Sequence, residues 1–221
     1  MKKITIALLA LATCAAVSCK KDVAADGGNG KTQPRAALPQ SAFSLWSTCN
    51  GSPYLISGTN GICVPVGNCS TDIDAAQQNG GQSATGLQFN GCFKGGSNAY
   101  SSASEQAVFL CDNVSQWNGN EMGFVKTLND NVLKGYLQGG GQYIYQTISV
   151  NDNGYHTFKC QARSSNTHQV DFYVDGSYKF TLTNNSGSYY GNWYYFVGTN
   201  HWYGGTNPAG QQIEMYNMTT Y

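Results

Sequence analysis

From Ala84 to the C-terminus the sequence alternates: apolar side chains recur at every second position in short runs, broken by clusters of Gly, Asn, Asp and Ser, and no window carries a helical stripe. That period puts alternate residues on opposite faces of an extended chain, which can bury its apolar face only by pairing with other strands and stacking on a second layer. Strands are predicted over residues 85–93, 105–111, 122–128, 132–138, 143–150, 155–163, 169–174, 178–183, 193–198 and 212–221. About ten strands at this spacing, without βαβ alternation, mean an all-β sandwich or barrel. Asn151-Asp152-Asn153-Gly154 and Asp175-Gly176 are hairpin signals, because Asn, Asp and Gly tolerate the positive φ of tight primed turns.

The alternation also sorts side chains by face. Phe158, Cys160 and Ala162 share one face of their strand, and Thr157, Lys159, Gln161 and Arg163 the other. In the next strand Val170, Phe172 and Val174 go inward, leaving Gln169, Asp171 and Tyr173 on the opposite face. Upstream the pattern fails. Residues 43–74 hold three cysteines, two prolines and many turn residues, and read as an irregular segment stapled onto the core. Residues 72–78 could make a short helix, and 79–83 a loop.

At the N-terminus Lys2 and Lys3 precede an almost unbroken apolar run from Ile4 to Val17 and small residues before Cys19, the form of a signal peptide over residues 1–18. The run is too short and too poorly flanked for a stable membrane span. Ala15-Ala16-Val17-Ser18-Cys19 resembles the lipobox of bacterial lipoproteins, which implies cleavage before Cys19 and lipidation there. Ala16 stands where leucine is more usual, so cleavage after Ala16 or Ser18 by signal peptidase I is the alternative. Lys20-Lys21-Asp22 looks like the start of many lipoproteins from polysaccharide-degrading Gram-negative bacteria, which implies the outer membrane and a surface-exposed face as one version of it. Residues 19–40, with Gly27-Gly28-Asn29-Gly30 and few large apolar side chains, read as a lipid-anchored flexible tether, and 41–221 as a single domain.

Without the leader, Lys2 and Lys3 leave the twelve basic residues, and ten basic residues face twelve acids. No basic stripe exists to hold nucleic acid. A surface poor in charge and rich in Gly, Asn, Ser, Gln and Tyr suits glycans better than phosphate. Six cysteines follow Cys19: Cys49, Cys63, Cys69, Cys92, Cys111 and Cys160. An even number in an exported chain argues for three disulfides in any of fifteen pairings. Cys92 with Cys111 could join across a hairpin, leaving Cys63 with Cys69 and Cys49 with Cys160. No C-x-x-C pair supports zinc.

Tyr155-His156-Thr157-Phe158, followed by Val170-Asp171-Phe172-Tyr173-Val174-Asp175-Gly176 and Phe180, looks like the paired-strand signature of concanavalin A-like lectin and glucanase domains. The resemblance runs from about Thr85 to Tyr221. It implies an antiparallel β-sandwich of the jelly-roll kind, with a concave face that commonly holds carbohydrate. That superfamily includes lectins, carbohydrate-binding modules, glycoside hydrolases, polysaccharide lyases and peptidases, so the fold does not choose among them.

A glycosidase needs two carboxyl groups facing one bond, one to give a proton and the other to attack or activate water. Retaining members of the superfamily carry the pair on one strand in an E-x-D-x-x-E-like run, which this sequence lacks. Glu105, Glu121 and Glu214 are its only glutamates; Glu121 and Glu214, with Asp171 on a polar strand face, are the catalytic candidates. For a lyase, His156, His168, His201, Tyr143, Tyr145, Gln138 and Arg163 supply the residue types, but the R-x-E-L-R run of alginate-lyase-like members is missing and two arginines are few for a polyanionic substrate. Trp193, Tyr195, Trp202 and Tyr203 are candidates to stack on sugar rings, joined by Tyr173 and Arg163. One face of the strand bearing Trp193 and Tyr195 must be core, whereas Trp202-Tyr203 sits in a glycine-rich loop. No metal site is expected. Asn129-Asp130-Asn131 and Asn151-Asp152-Asn153 would suit a structural Ca²⁺ such as related binding modules carry, and turn chemistry accounts for both equally.

The expected function is a cell-surface domain that binds a neutral polysaccharide or oligosaccharide, tied to the membrane through its lipid anchor only and needing no cofactor. A polysaccharide-degrading enzyme, hydrolase or lyase, with a divergent active site is the alternative, and a structural envelope protein the second alternative.

Overall fold

The computed structural model describes residues 34–49, 51–67, 73–95, 104–112, 119–127, 132–151, 153–201 and 211–221. These contain β1 (Phe43–Ser47), β2 (Tyr54–Leu55), β3 (Ile62–Pro65), β4 (Ile73–Gln78), β5 (Gln82–Ala84), β6 (Gly86–Lys94), β7 (Ser104–Cys111), β8 (Glu121–Thr127), β9 (Val132–Gly139), β10 (Gln142–Thr147), β11 (His156–Arg163), β12 (Asn166–Val174), β13 (Ser177–Thr183), β14 (Gly191–His201) and β15 (Gln212–Thr220). A single 3₁₀ turn, Gln40–Ala42, precedes β1.

Pairing is antiparallel throughout. A front sheet runs β1-β4-β14-β7-β8-β9-β10, with β5 also on β14, and a back sheet runs β13-β12-β11-β6-β15-β3-β2. The two pack face to face over one core, a sandwich of the jelly-roll kind. Inward residues of the front sheet (Val108, Leu110, Met122, Phe124, Leu137, Trp193, Tyr195) meet those of the back sheet (Phe89, Phe93, Phe158, Phe172, Ile213, Met215). A chain of aromatic rings holds the middle: Phe89 and Phe158 have centroids 5.1 Å apart, Phe158 and Phe124 5.2 Å, Phe124 and Phe172 5.5 Å, Phe172 and Phe180 5.2 Å. Each such pair contributes about 0.5–1.5 kcal/mol beyond its area burial.

The predicted face assignments hold in β11 and β12, where Phe158, Cys160, Ala162, Val170, Phe172 and Val174 are all core. Asp175 and Gly176, both at positive φ (52° and 74°), form the tight turn between β12 and β13. Three expectations fail. Residues 73–78 are strand β4, not helix, because the slot between β1 and β14 recruits both edges of the segment and overrides its helix-compatible Ala and Gln composition. The segment upstream is likewise less irregular than expected, supplying β1 to one sheet and β2 and β3 to the other. Asn151–Gly154 closes a turn through Gly154 N to Asn151 O (2.8 Å), but the strands on either side lie in different sheets, so it is a crossover and not a hairpin.

The three-bridge framework is also corrected. Cys49 is disulfide-bonded, and Cys63, Cys92, Cys111 and Cys160 are free and buried; Cys69 lies outside the described residues. Cys92 and Cys111 belong to opposite sheets and both face away from the core, so the sandwich separates them. Cys160 points into the core among aliphatic and aromatic groups. Cys63 and Cys92 flank β15 two strands apart, about 10 Å, beyond the ~7 Å that a disulfide spans between Cα atoms. Ordered contacts also begin before residue 41: the Arg35 and Leu38 amides donate to Thr220 O (2.9 Å) and Met218 O (2.7 Å).

Candidate functional site

Because β-strands alternate, the front sheet has a second face turned away from the core, and its occupants follow from register. One row crosses the sheet as Tyr145, Tyr136, Gly123, Phe109, Phe196, Gln77 and Ser44. The row beside it reads Tyr143, Gln138, Glu121, Cys111 and Tyr194. Phe109 and Phe196 stack at 4.8 Å and, with Ala75, Ala107, Val125 and Tyr136, make a second apolar cluster on which Trp46, Ile73 and Tyr194 pack.

At the β8–β9 end the row turns polar. The Tyr136 hydroxyl donates 2.7 Å to Glu121 Oε2 and also contacts Gln138 Oε1. Burial, reinforced by the Glu121 carboxylate, pushes the Tyr136 phenol far above its ordinary value, so it stays a neutral donor. Tyr143 and Tyr145 follow on edge strand β10, 60% and 59% exposed. The Tyr143 ring lies 6.4 Å from that of Tyr136, and Lys134 Nζ sits 5.1 Å over the Tyr145 ring. The two exposed phenol rings along the sheet edge offer stacking faces and hydroxyls, while Tyr136, Gln138 and Glu121 behind them are buried and bonded to one another.

The three carboxylates predicted as catalytic are not brought together. Glu121 is fully buried on this outer face of the front sheet. Glu214 lies on the far side of the molecule, on the outer face of the back sheet, where Lys94 Nζ sits 2.5 Å from Oε1, Tyr155 and Gln212 donate to it, and Cys63 and Cys92 are its neighbours on β3 and β6. Asp171 is on that outer back-sheet face too, held by Arg163 Nε at 2.9 and 3.0 Å and by Thr181. From Asp171 to Glu214 is three strands across and six residues along, about 25 Å, against the ~5–9.5 Å a glycosidase pair needs. Glu105 does share the outer front face with Glu121, six residues along β7 from Glu121's cross-strand neighbour Cys111, and its charge acts on the same Tyr136 phenol that donates to Glu121. Outward positions on β8 read Glu121, Gly123, Val125 and Thr127. A Cβ at Gly123 would stand 2.1 Å from Val108 O, so no second acid fits there.

Among the aromatic candidates, Trp193 and Tyr195 are 0% exposed and point into the core, where they cannot meet a sugar. Alternation left two faces open to them, and the packing of the sandwich chose the inner one. Tyr173 is half-buried beside Tyr178 and Lys159 on the back sheet, and the Arg163 guanidinium is committed to Asp171, which raises its pKa. Of the residue types named for a lyase, Gln138, Tyr143 and Tyr145 do meet on one face, while His156 pairs with Asp175 (2.7 Å) and His168 with Gly187 O, both away from it. Trp202, Tyr203, Cys19, Asn129-Asp130-Asn131 and Asp152 lie outside the described residues. No group of His, Cys, Asp and Glu that could hold a metal ion occurs among the described residues. Tyr136 and Trp46 were missed. The signal for Tyr136 was there, since Tyr136 and Gln138 alternate with Leu137 just as Tyr143 and Tyr145 alternate with Ile144.

No family model and no curated protein sequence matches the chain. Solved structures do match in fold. A β-glucanase from Bacillus licheniformis superposes with a TM-score of 0.55 at 13% identity, over 87% of this chain and 99% of that one. The laminarinase from Flavobacterium sp. UMI-01 gives 0.58 at 9%, over 85% and 96%. A glycoside hydrolase family 16 protein from the Bacteroides ovatus mixed-linkage glucan locus, solved with its product bound, gives 0.52 at 13%, over 83% and 96%. The chain therefore has the concanavalin A-like jelly-roll fold that its β11–β13 signature resembles. At these identities the likeness is one of fold.

Proposed function

We propose that the protein engages a neutral β-glucan at the β10 edge of the outer face of its front sheet, and that it does so as a recognition domain. The observation that carries this is the pair of exposed phenol rings, Tyr143 and Tyr145, on edge strand β10, at the open end of a cross-strand row whose middle members Gly123, Phe109 and Phe196 are buried. Phenol faces stack on the C–H faces of sugar rings, and the exposed Tyr143 and Tyr145 side chains present such faces to solvent. Similarity to glucanases supports the glycan class of ligand.

The second reading is polysaccharide degradation, and the comparisons favour it over recognition alone, since the neighbours are glucanases by name. Here Glu121 would be the reacting carboxylate, with Tyr136 holding it. Recognition needs no second acid, and Glu121 is buried and bonded by Tyr136, which ranks degradation second. Incubation with insoluble and soluble mixed-linkage glucan, laminarin, xylan and mannan tests both. Retention without new reducing ends supports recognition; new reducing ends abolished by Glu121→Gln would establish degradation. Neither retention nor product on any neutral glycan would reject both.

We also propose, from the leader and the lipobox-like Ala15–Cys19 stretch, that Cys19 carries the lipid that holds the protein in the outer membrane. Cys19→Ala should leave the chain unprocessed or soluble, and unchanged membrane partitioning would reject the anchor.

A further inference from the structure

Asparagine followed by glycine occurs seven times in the sequence, and both residues are described at four of these steps, which begin at Asn60, Asn79, Asn90 and Asn153. Such a step is chemically unstable. The backbone nitrogen of the glycine can attack the asparagine Cγ, because no Cβ on the glycine obstructs the approach. A fold suppresses the attack by holding the glycine N–H in a hydrogen bond or by keeping the step extended inside a sheet, since either leaves the nitrogen no freedom to turn back on the side chain.

Three of the four steps are held in these ways. The Gly61 amide donates to Thr59 Oγ1 (2.9 Å), and Asn60 Nδ2 is itself tied to Asn217 Oδ1 (2.9 Å). The Gly154 amide donates to Asn151 O (2.8 Å). Asn90 and Gly91 lie in the middle of β6, with Gly91 paired to His156 on one side and Met215 on the other.

Asn79–Gly80 carries neither restraint. β4 ends at Gln78 and β5 starts at Gln82, so both residues lie in the connection, and both are exposed. The Gly80 amide donates to no described residue, and a Cβ there would meet nothing within 4 Å. The Asn79 backbone amide is anchored on Ala42 O (2.8 Å), and Oδ1 accepts from the Ser44 hydroxyl, while Nδ2 is bonded to no described residue. That hydroxyl stabilises the negative charge that develops on Oδ1 as the nitrogen adds.

We propose that Asn79–Gly80 is a self-modification site: the Gly80 nitrogen bonds to Asn79 Cγ, the Cγ–Nδ2 bond breaks, the Gly80 amide proton leaves with Nδ2 as ammonia, and water opens the resulting succinimide to aspartate or isoaspartate. Only water is consumed. Either product sets a carboxylate beside Ser44 where a neutral carboxamide stood, and isoaspartate also lengthens the backbone that leads into β5. Loss of ammonia is irreversible, so the added charge accumulates with the age of the molecule.

The test is peptide mapping by mass spectrometry of the whole folded protein, held for days in mildly alkaline buffer, beside the same protein in urea. In urea the four steps share one local chemistry and should convert at similar rates. In the folded protein Asn79 should convert at least severalfold faster than Asn60, Asn90 and Asn153. Gly80→Ala, which the open space at that position accommodates, should slow conversion of Asn79 severalfold and leave the other three unchanged. Ser44→Ala should slow it in the folded protein and not in urea, and an equal folded-state rate would overturn the part given to that hydroxyl. Conversion of Asn79 no faster than the other three in the folded protein, or none there while urea releases all four, would overturn the site.

Discussion

Tyr136 donates a 2.7 Å hydrogen bond to the Glu121 carboxylate on the outer face of the front sheet, joining two residues on adjacent strands that are both buried. Burial makes that contact worth more than a surface bond, since neither group can turn to water. Tyr136→Phe should cost about 1–3 kcal/mol of folding stability in urea titrations. An unchanged midpoint and slope would mean that the bond contributes nothing net.

Tyr143 and Tyr145 have the opposite character, with most of each ring in solvent. Their replacement by Ala should move stability by no more than about 0.5 kcal/mol while reducing glucan affinity about tenfold for the pair. Loss of stability without loss of affinity would show that the rings serve the sheet edge and not a ligand.

Of the described cysteines, four should titrate as thiols in the denatured, unreduced chain: Cys63, Cys92, Cys111 and Cys160. In the native state they should react slowly, because all four are buried. Finding none free after denaturation would restore the three-bridge framework and refute the arrangement of β3, β6, β7 and β11.

Alkali should unfold the domain earlier than its neutral-pH stability suggests. Burial pushes the Cys160 thiol up to about 12 and the Cys92 thiol, also facing Glu214, up to about 11, from an ordinary 9.0; burial carries the Tyr221 phenol from 10.0 to about 12. A raised folded-state pKa means that the neutral form is favoured on folding. Its contribution is whole below the unfolded value of 9.0 or 10.0 and is lost as pH climbs to the folded value. Urea midpoints should therefore be flat in these groups up to about pH 9 and fall between about pH 9 and 12. Cys160→Ala should flatten part of that fall, and a pH profile identical to the parent's would rule out the thiol as a source.

The core spine is open to the same kind of check. Phe158, which touches Phe89, Phe93 and Phe124, should cost about 3–5 kcal/mol when changed to Ala. A loss under about 1 kcal/mol would mean that the sheets close over the gap.

The sequence by itself determined whatever depends on neighbours along the chain. Period two set the strands and the inward faces of β11 and β12, and Asp175-Gly176 set a turn, because side-chain direction and backbone φ are local properties. What it left open needed a partner strand. Whether Asn151–Gly154 joins neighbours or crosses between sheets, whether residues 73–78 extend into a slot between β1 and β14, and which face of Trp193 and Tyr195 is the core are all decided by pairing at long range. So is the burial of Lys126, which period two places beside Phe124 and which the fold accepts because its ammonium reaches Phe93 O at 3.0 Å. The candidate site belongs to this second kind. Tyr136, Glu121, Phe109, Gln77 and Trp46 come from five strands scattered along the chain, and only cross-strand register sets them on one face.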